Sequence, residues 1–296
     1  MIGVVIPAHN EERELEQCLA ALRVAAADPA LRGETVRVTV VLDSCSDGSR
    51  AIAERHAGRA DNRDPLRRHG GAGGNGGNGG NGGSANLGGC RGNGGVVSGA
   101  SANCIVDIIV VASRNVGAAR AAGAAQLLAL GARWLAFSDA DTRVSPGWLA
   151  AQLALDVDVV CGTVAVDDWS PHLGDADALR RHFRRSYTDA DGHRHIHGAN
   201  LGVSASAYVR AGGFEPLACS EDVALVAALE RCGARFAWSS APRVITSARQ
   251  NARASGGFGD TLLRYAASAR AGLSTSLPAA LTTELPVLLN NPHTVG

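Results

Sequence analysis

The sequence of 296 residues contains no lysine, and all 28 of its Lys and Arg residues are arginine. Because a lysine amine forms the Schiff base of pyridoxal phosphate enzymes and lysine aldolases, both classes are excluded. The absence also excludes P-loop kinases and ATPases, whose phosphate-binding loop needs a lysine. The formal net charge is +0, without the basic excess of a nucleic-acid-binding protein, so we expect no nucleic-acid partner.

The seven cysteines are odd in number and form no Cys-x-x-Cys pair. This favours free thiols in a reducing compartment over a disulfide framework or a zinc site. The sequence has no run of about 18 apolar residues that could form a transmembrane helix, and it begins without the basic leader of a secretory signal. The expected location is the cytoplasm, and peripheral contact with the inner face of the membrane is left open.

Short apolar runs alternate with helical patterns over residues 1–160. This recurring order predicts an α/β fold, a three-layer sandwich with a mostly parallel central sheet. Strands are predicted over 2–6, 36–42, 105–112, 134–138, 157–166, 235–238 and 244–246. Helices are predicted after the caps Asn10 and Ser145, over 46–58, 116–130 and 175–187, and over 221–232 with Ser220 as its cap.

Residues 70–103 differ from the rest of the chain in their Gly-Gly-Asn repeat and their few apolar side chains. Glycine loses the most backbone entropy on ordering, and this segment has little apolar surface to bury in return. We therefore predict a flexible insertion at about 60–104 within a single domain over 1–265, followed by a weakly structured tail over 266–296. A glycine-rich phosphate-binding loop is the alternative, although such a loop needs a few glycines at a strand-to-helix turn.

The segment Asp139-Ala140-Asp141 places two carboxylates where a predicted buried strand ends. Ligands bind at the carboxyl ends of strands in open parallel α/β sheets. In an extended backbone Asp139 and Asp141 point to the same side, so both can approach one hard cation. Mg²⁺ or Mn²⁺ bound in this way takes its other ligands from substrate phosphates and water. Two solvated loop aspartates are the alternative interpretation.

Three other predicted strands also end in polar residues. The first is followed by Pro7-Ala8-His9-Asn10-Glu11, the second ends at Asp43, and Arg114 follows the third. An acid such as Asp43 can accept hydrogen bonds from a base or a ribose, and Arg114 beside a helix N-terminus can face an anion. Helix capping and a surface arginine explain these motifs when each is taken alone. No Gly-x-Gly-x-x-Gly follows the first strand, which disfavours a dinucleotide-binding domain.

The order of these motifs resembles that of the inverting family 2 glycosyltransferases of the GT-A fold. The resemblance covers about 2–60 and 104–250, and it implies a nucleotide-binding first half and an acceptor-side second half. Its segments are Val4-Val5-Ile6-Pro7-Ala8-His9-Asn10-Glu11-Glu12, Val41-Leu42-Asp43, Arg114-Asn115-Val116-Gly117, Asp139-Ala140-Asp141, Gly198-Ala199-Asn200-Leu201-Gly202-Val203-Ser204, Gly212-Gly213-Phe214 and Ser220-Glu221-Asp222.

The resemblance implies a role for each matching residue. Asp222 is the implied catalytic base, and Asp141, together with Asp139, is the implied ligand of Mg²⁺ or Mn²⁺. Nucleotide-sugar binding is implied for Pro7, His9, Asn10, Glu11, Asp43, Arg114 and Asp139. The implied acceptor-side residues are Gly198, Ala199, Asn200 and Glu221. Complementing a helix dipole is the alternative explanation for the two acids Glu221 and Asp222.

One feature of the sequence departs from the family pattern. Some relatives have a late histidine as an extra metal ligand, but the matching region here reads Thr246-Ser247-Ala248-Arg249. Either the metal has fewer protein ligands, or Arg249 or Arg253 assists the diphosphate.

Three histidines alternate along the sequence at His193, His195 and His197. On a strand they would share one side and could bind zinc, although a polar edge of the acceptor site is the preferred interpretation.

The implied reaction moves a sugar, with a hexose expected, from a nucleoside-diphosphate sugar to an acceptor hydroxyl with inversion. One alternative is a nucleotidyltransferase of similar fold, which usually needs a basic residue for the triphosphate, often the lysine that is absent here. The other is a catalytically silent nucleotide-sugar-binding protein. The expected partners are the sugar donor and a hydroxyl-bearing acceptor.

Overall fold

The structure is a computed structural model that describes residues 1–58, 103–250 and 258–270. The strands of the described part are β1 (Ile2–Ala8), β2 (Val36–Asp43), β3 (Cys104–Val111), β4 (Trp134–Phe137), β5 (Thr142–Val144), β6 (Val159–Ala165), β7 (Leu201–Ser204) and β8 (Phe236–Thr246). Its α-helices are α1 (Leu15–Ala26), α2 (Ser49–His56), α3 (Val116–Ala129), α4 (Trp148–Ala154), α5 (Ala176–Ser186), α6 (Ala205–Ala211), α7 (Glu221–Arg231) and α8 (Phe258–Arg270). Short 3₁₀ helices cover Pro29–Leu31 and Ser170–Asp175.

All of these strands belong to one sheet, in the order β3-β2-β1-β4-β7-β6-β8-β5. The first half, β3-β2-β1-β4, is parallel throughout. Its strands are near-continuous apolar runs because helices cover both faces of the sheet. The parallel direction brings the ends of β1, β2, β3 and β4 to one edge, which is where the sequence predicts the site.

The second half of the sheet is mixed. Strand β7 runs antiparallel to both β4 and β6, while β8 runs parallel to β6. Strand β5 is antiparallel to β8 and pairs Thr142 with Thr246. This pairing brings the residues after β8 beside the turn that follows β4. Arg249 therefore lies close to Asp141 although the two are far apart in sequence.

The core consists of two apolar layers, one on each face of the sheet. Side chains alternate along β1, so Val4 and Ile6 pack with α1 and α4, whereas Val5 packs with α3, α6 and α7. Helix α3 lies very close to the sheet at Gly123, where an added Cβ would be 2.6 Å from a Val5 methyl group. The prediction of an α/β three-layer sandwich with a mostly parallel central sheet is confirmed.

Several local predictions need correction. Asn10 does not cap α1, because it has a left-handed backbone (φ 56°) and the helix begins five residues later, at Leu15. Ser220 also has a left-handed backbone (φ 58°) and makes no capping hydrogen bond within the described part of the chain. The two short strands predicted at 235–238 and 244–246 are one strand, β8. The helix predicted after Ser145 begins at Trp148, and Gly147 is its N-cap residue.

Two predictions concern regions that the structure describes only in part. The predicted insertion at about 60–104 lies almost wholly outside the described residues, as does most of the predicted tail. Helix α8 (Phe258–Arg270) crosses the predicted boundary at 266, and the division into domain and tail stays a prediction. No helix within the described ranges is long and apolar enough to span a membrane.

Candidate functional site

Asp43, the last residue of β2, organises the loop that follows β3. Its carboxylate accepts backbone hydrogen bonds from Ser113, Arg114 and Asn115 at 2.9–3.0 Å, and the Ser113 hydroxyl donates a further bond at 2.7 Å. Burial alone would raise the pKa of Asp43, but these hydrogen bonds outweigh it and lower the pKa. Asp43 is therefore a carboxylate anion that joins the ends of two neighbouring strands.

The loop after β1 is fastened to the loop after β2. His9 Nδ1 lies 2.6 Å from the carbonyl oxygen of Asp43, and the side-chain oxygen of Asn10 accepts a 2.8 Å bond from the Ser46 backbone N–H. The Glu11 backbone N–H donates to the Ser49 hydroxyl at 2.7 Å. Together with Pro7, the predicted nucleotide-side residues of these loops occupy one edge of the sheet.

Arg120 on α3 joins the end of β4 to the start of α7. Its guanidinium forms a 2.5 Å ion pair with Asp139 and a second ion pair with Glu221. Arg120 is 3% exposed and Glu221 is 5% exposed, so the pair between them is inside the protein. No motif in the sequence predicts a role for Arg120. The available signal was a lone arginine among the small residues of α3, next to the buried position Ala119.

Arg249, three residues after β8, holds a second pair of carboxylates. Its two Nη atoms donate to the two oxygens of Glu11 at 2.5 and 2.8 Å. The Nη2 atom also lies 3.0 Å from an oxygen of Asp141. The Asp139-Ala140-Asp141 segment is thus bounded by Arg120 on one side and by Arg249 on the other.

The pKa of Asp141 is raised even though Arg249 lies beside it. Burial raises its pKa to about 7, the negative charges of Asp139 and Glu11 add to the rise, and Arg249 opposes it. Beneath these acids lies Cys18, a buried thiol whose Sγ donates to the Asp139 carbonyl oxygen at 3.4 Å. Asp139, Asp141 and Glu11 therefore form an acidic part of the site beside Arg249.

Asp222 follows Glu221 in the first turn of α7. Its two oxygens accept backbone hydrogen bonds from Gly198 at 2.7 Å and from Val223 at 2.8 Å. Burial raises the pKa of Asp222, while Arg120 and these two hydrogen bonds oppose the rise. Asp222 is therefore a fixed carboxylate that is more basic than an ordinary aspartate.

The predicted acceptor-side residue Asn200 has its amide engaged in the fold. Its Nδ2 donates to the carbonyl oxygens of Thr163 and Pro242, each at 2.7 Å, and its Oδ1 accepts from the Trp148 indole at 2.8 Å. Asn200 is fully buried, and Ala199 beside it is 8% exposed. These two residues fix the turn that carries Gly198 against Asp222.

The three alternating histidines are buried but do not lie on a strand. The rings of His193, His195 and His197 are stacked, with centroids 5.4 and 5.9 Å apart. His197 Nε2 lies 3.0 Å from the Tyr187 hydroxyl, while His195 Nε2 accepts from the Thr188 backbone at 3.1 Å. Among the described residues, no three His, Cys, Asp or Glu side chains group as metal ligands, so the zinc alternative lacks a site there.

The family match covers the beginning of the chain. Residues 3–77 match the sequence profile described as glycosyl transferase family 2. No curated protein sequence matches the chain.

Solved structures resemble the described fold over most of the chain. S. aureus TarS 1–349 in complex with UDP-GlcNAc has a TM-score of 0.51 and 14% identity, covering 93% of this chain and 67% of that one. The mannosyltransferase PcManGT from Pyrobaculum calidifontis, in complex with GDP-Man and Mn²⁺, has a TM-score of 0.49 and 16% identity, covering 94% and 66%. At these identities the TarS likeness shows the GT-A fold. The first two strands, from Gly3 onward, lie within the residues that match the glycosyl transferase family 2 profile, and the described fold is similar to that of TarS.

Proposed function

We propose that the enzyme transfers a sugar, with inversion, from a nucleoside-diphosphate sugar to an acceptor hydroxyl. The observation that carries the proposal is the ion network of Arg120. Through that guanidinium the donor-side carboxylate Asp139 is tied to Glu221, which is the neighbour of the candidate base Asp222. The donor and the acceptor would then bind on either side of the buried Arg120 guanidinium.

The donor end of the site is the edge formed by the loops after β1, β2 and β3. The nucleotide is assigned to Pro7, His9, Asn10, Asp43 and Arg114. Hydrogen bonds between side chain and backbone already link His9 and Arg114 to Asp43, and Asn10 to the loop after β2. The TarS structure of similar fold holds UDP-GlcNAc, which supports a nucleoside-diphosphate sugar as the donor class. A loop edge fixed before the donor arrives reduces the entropy lost on binding.

A divalent cation fits the donor chemistry of Asp139 and Asp141. Carboxylate oxygens are the ligands that Mg²⁺ and Mn²⁺ prefer, and one or two carboxylates suffice when substrate phosphates and water complete the shell. Burial raises the pKa of Asp141 to about 7 although Arg249 opposes the rise, and a bound cation would favour the carboxylate form. When bound, such a cation would neutralise charge on the leaving diphosphate.

Asp222 is proposed as the general base. As the acceptor oxygen attacks the anomeric carbon, Asp222 takes the hydroxyl proton, and the bond from that carbon to the diphosphate oxygen breaks on the opposite face. The electron pair of the broken bond leaves with the nucleoside diphosphate. General-base assistance of this kind contributes about 10²–10⁴-fold to the rate. The bonds from Gly198 and Val223 hold the carboxylate in place for this transfer.

The experiment replaces Asp222 with Asn, which keeps the shape of the side chain and removes the base. We expect donor affinity to stay within about threefold while turnover falls by about 10²-fold or more. Glu230→Gln, on the same helix two turns later, is the matched control and should keep its turnover. Turnover in Asp222→Asn equal to that of the control would refute the assignment of the base.

A further inference from the structure

The backbone at Arg249 is held in place by contacts of the residues on both sides. Its neighbour Ala248 is 1% exposed and packs in an apolar cluster with Trp169 and Leu179. On the other side, Gln250 donates to the Pro171 carbonyl oxygen at 2.7 Å. The backbone is thus anchored on both sides of Arg249, and its guanidinium is held over Glu11 and Asp141.

Acidic side chains outnumber arginines among the described residues of the site. Two ion networks and the adjoining Asp222 bring five described carboxylates together with two described guanidiniums, which sum to a formal charge of −3 when all are ionised. The carboxylates are those of Glu11, Asp139, Asp141, Glu221 and Asp222. A donor diphosphate adds further negative charge, so its binding requires either more positive charge or a rearrangement of the charge that is present.

The two arginines differ in their freedom to rearrange. Arg120 is 3% exposed and is held between two acids on different elements. The side chain of Arg249 is 25% exposed, and its bidentate grip on Glu11 does not depend on the contact with Asp141. Its Nη2 can therefore release Asp141 while the fork stays on Glu11. A released N–H of a guanidinium is well suited to a phosphate oxygen.

We propose that Arg249 is an exchangeable counter-ion: it neutralises Asp141 in the empty site and passes to the donor diphosphate when a divalent cation takes its place at Asp141. This inference rests on the proposed function, because it assumes that a diphosphate enters the site. It assigns Arg249 two successive partners, a carboxylate and then a phosphate. It also explains how the negative charge of Asp141 is neutralised before a divalent cation binds.

The exchange predicts that Arg249 competes with the cation. Mn²⁺ binding without nucleotide, measured from the EPR signal of free Mn²⁺, should be at least about tenfold tighter in Arg249→Gln than in the wild type. Arg243→Gln, which removes an exposed arginine from β8, is the matched control and should bind Mn²⁺ as the wild type does. Asp141→Asn in the Arg249→Gln background should abolish the gain. Equal Mn²⁺ affinity in the wild type and Arg249→Gln would overturn the proposal.

A second measurement follows the phosphate partner of Arg249. With Mn²⁺ present, calorimetric binding of UDP and of GDP should weaken by about tenfold or more in Arg249→Gln, for whichever nucleotide the wild type binds. Unchanged nucleotide affinity would overturn the transfer to the diphosphate. If the wild type binds neither nucleotide while the Mn²⁺ gain persists, the proposed function fails and the competition at Asp141 stands.

A third variant guards against misfolding. Arg249→Gln removes a guanidinium that pairs with the buried Glu11, and such a loss destabilises the folded state. The double variant Glu11→Gln with Arg249→Gln removes both charges. Its Mn²⁺ affinity should also exceed that of the wild type, since the competing guanidinium is gone, and an affinity no higher than the wild type would count against the exchange.

Discussion

Replacing Arg120 with glutamine removes the positive charge between Asp139 and Glu221. Both Arg120 and Glu221 are buried, at 3% and 5% exposure, so the change leaves a carboxylate inside the protein without its cation. Removal of one partner from a buried ion pair costs about 3–5 kcal/mol of stability. Because the Asp139 side chain is 37% exposed and water can solvate it, we expect a loss near the lower end, about 3 kcal/mol.

Urea unfolding at pH 7.5 measures this loss as a fall in the free energy of unfolding of Arg120→Gln. The double variant Arg120→Gln with Glu221→Gln has no buried charge at position 221. Its loss of unfolding free energy should therefore be smaller than the sum of the two single losses by about 0.5–3 kcal/mol. A loss below about 1 kcal/mol in Arg120→Gln, or strict additivity of the two changes, would refute the reasoning that Arg120 balances a buried acid.

Two further predictions concern the acceptor-side turn. Gly198→Ala should destabilise the protein by about 1–3 kcal/mol and weaken donor binding, because an added Cβ would lie 1.8 Å from Nη1 of Arg120. Gly174→Ala, with nothing within 4 Å of its added Cβ, is the control, and equal stability of the two variants in urea would contradict the close contact. Burial lowers the pKa of His197 to about 3, so the folded state keeps it neutral while the unfolded chain gains a proton below about pH 6.5. The stability from this group is complete above pH 6.5 and should fall by about 1.4 kcal/mol per pH unit below it, whereas His197→Gln should flatten that slope, and a wild-type stability that does not fall towards pH 5 would contradict it.

The sequence was sufficient to predict the first half of the sheet. The apolar runs of β1 and β2 are buried on both faces, so they carry a strong signal, and the acids that follow them lie at the predicted edge. Asp43 and the loop at Arg114 meet there because parallel strands end together. The placement of these residues follows from the strand pattern, while their roles in binding stay predictions.

The sequence did not predict two strands in the second half of the sheet because both are short. Strands β5 and β7 have three and four residues, too few to show a period. Their pairing is antiparallel and depends on contacts between distant segments. The same limit applies to the ion pairs, since Arg249 and Glu11 are separated by 238 residues and no local pattern joins them.

Local propensity also failed where the backbone is left-handed. Asn10 and Ser220 are favourable caps by residue type, yet both have positive φ, and the Asn10 amide holds the loop after β2 instead. Asparagine tolerates this conformation better than most residues, so the residue type alone did not decide between the two roles. Both departures lie at the candidate site, one in the loop after β1 and the other directly before Glu221.

Phosphorus NMR of a donor mixture offers the most direct measurement of the central claim. The purified protein is incubated with Mn²⁺ and a panel of nucleoside-diphosphate sugars, together with simple alcohols as acceptors. Sugar transfer, or slow hydrolysis of the matching donor, releases free nucleoside diphosphate, and this release is the result we predict for the wild type. Release of pyrophosphate from nucleoside triphosphates and sugar phosphates, or binding of a donor without any turnover, would contradict it.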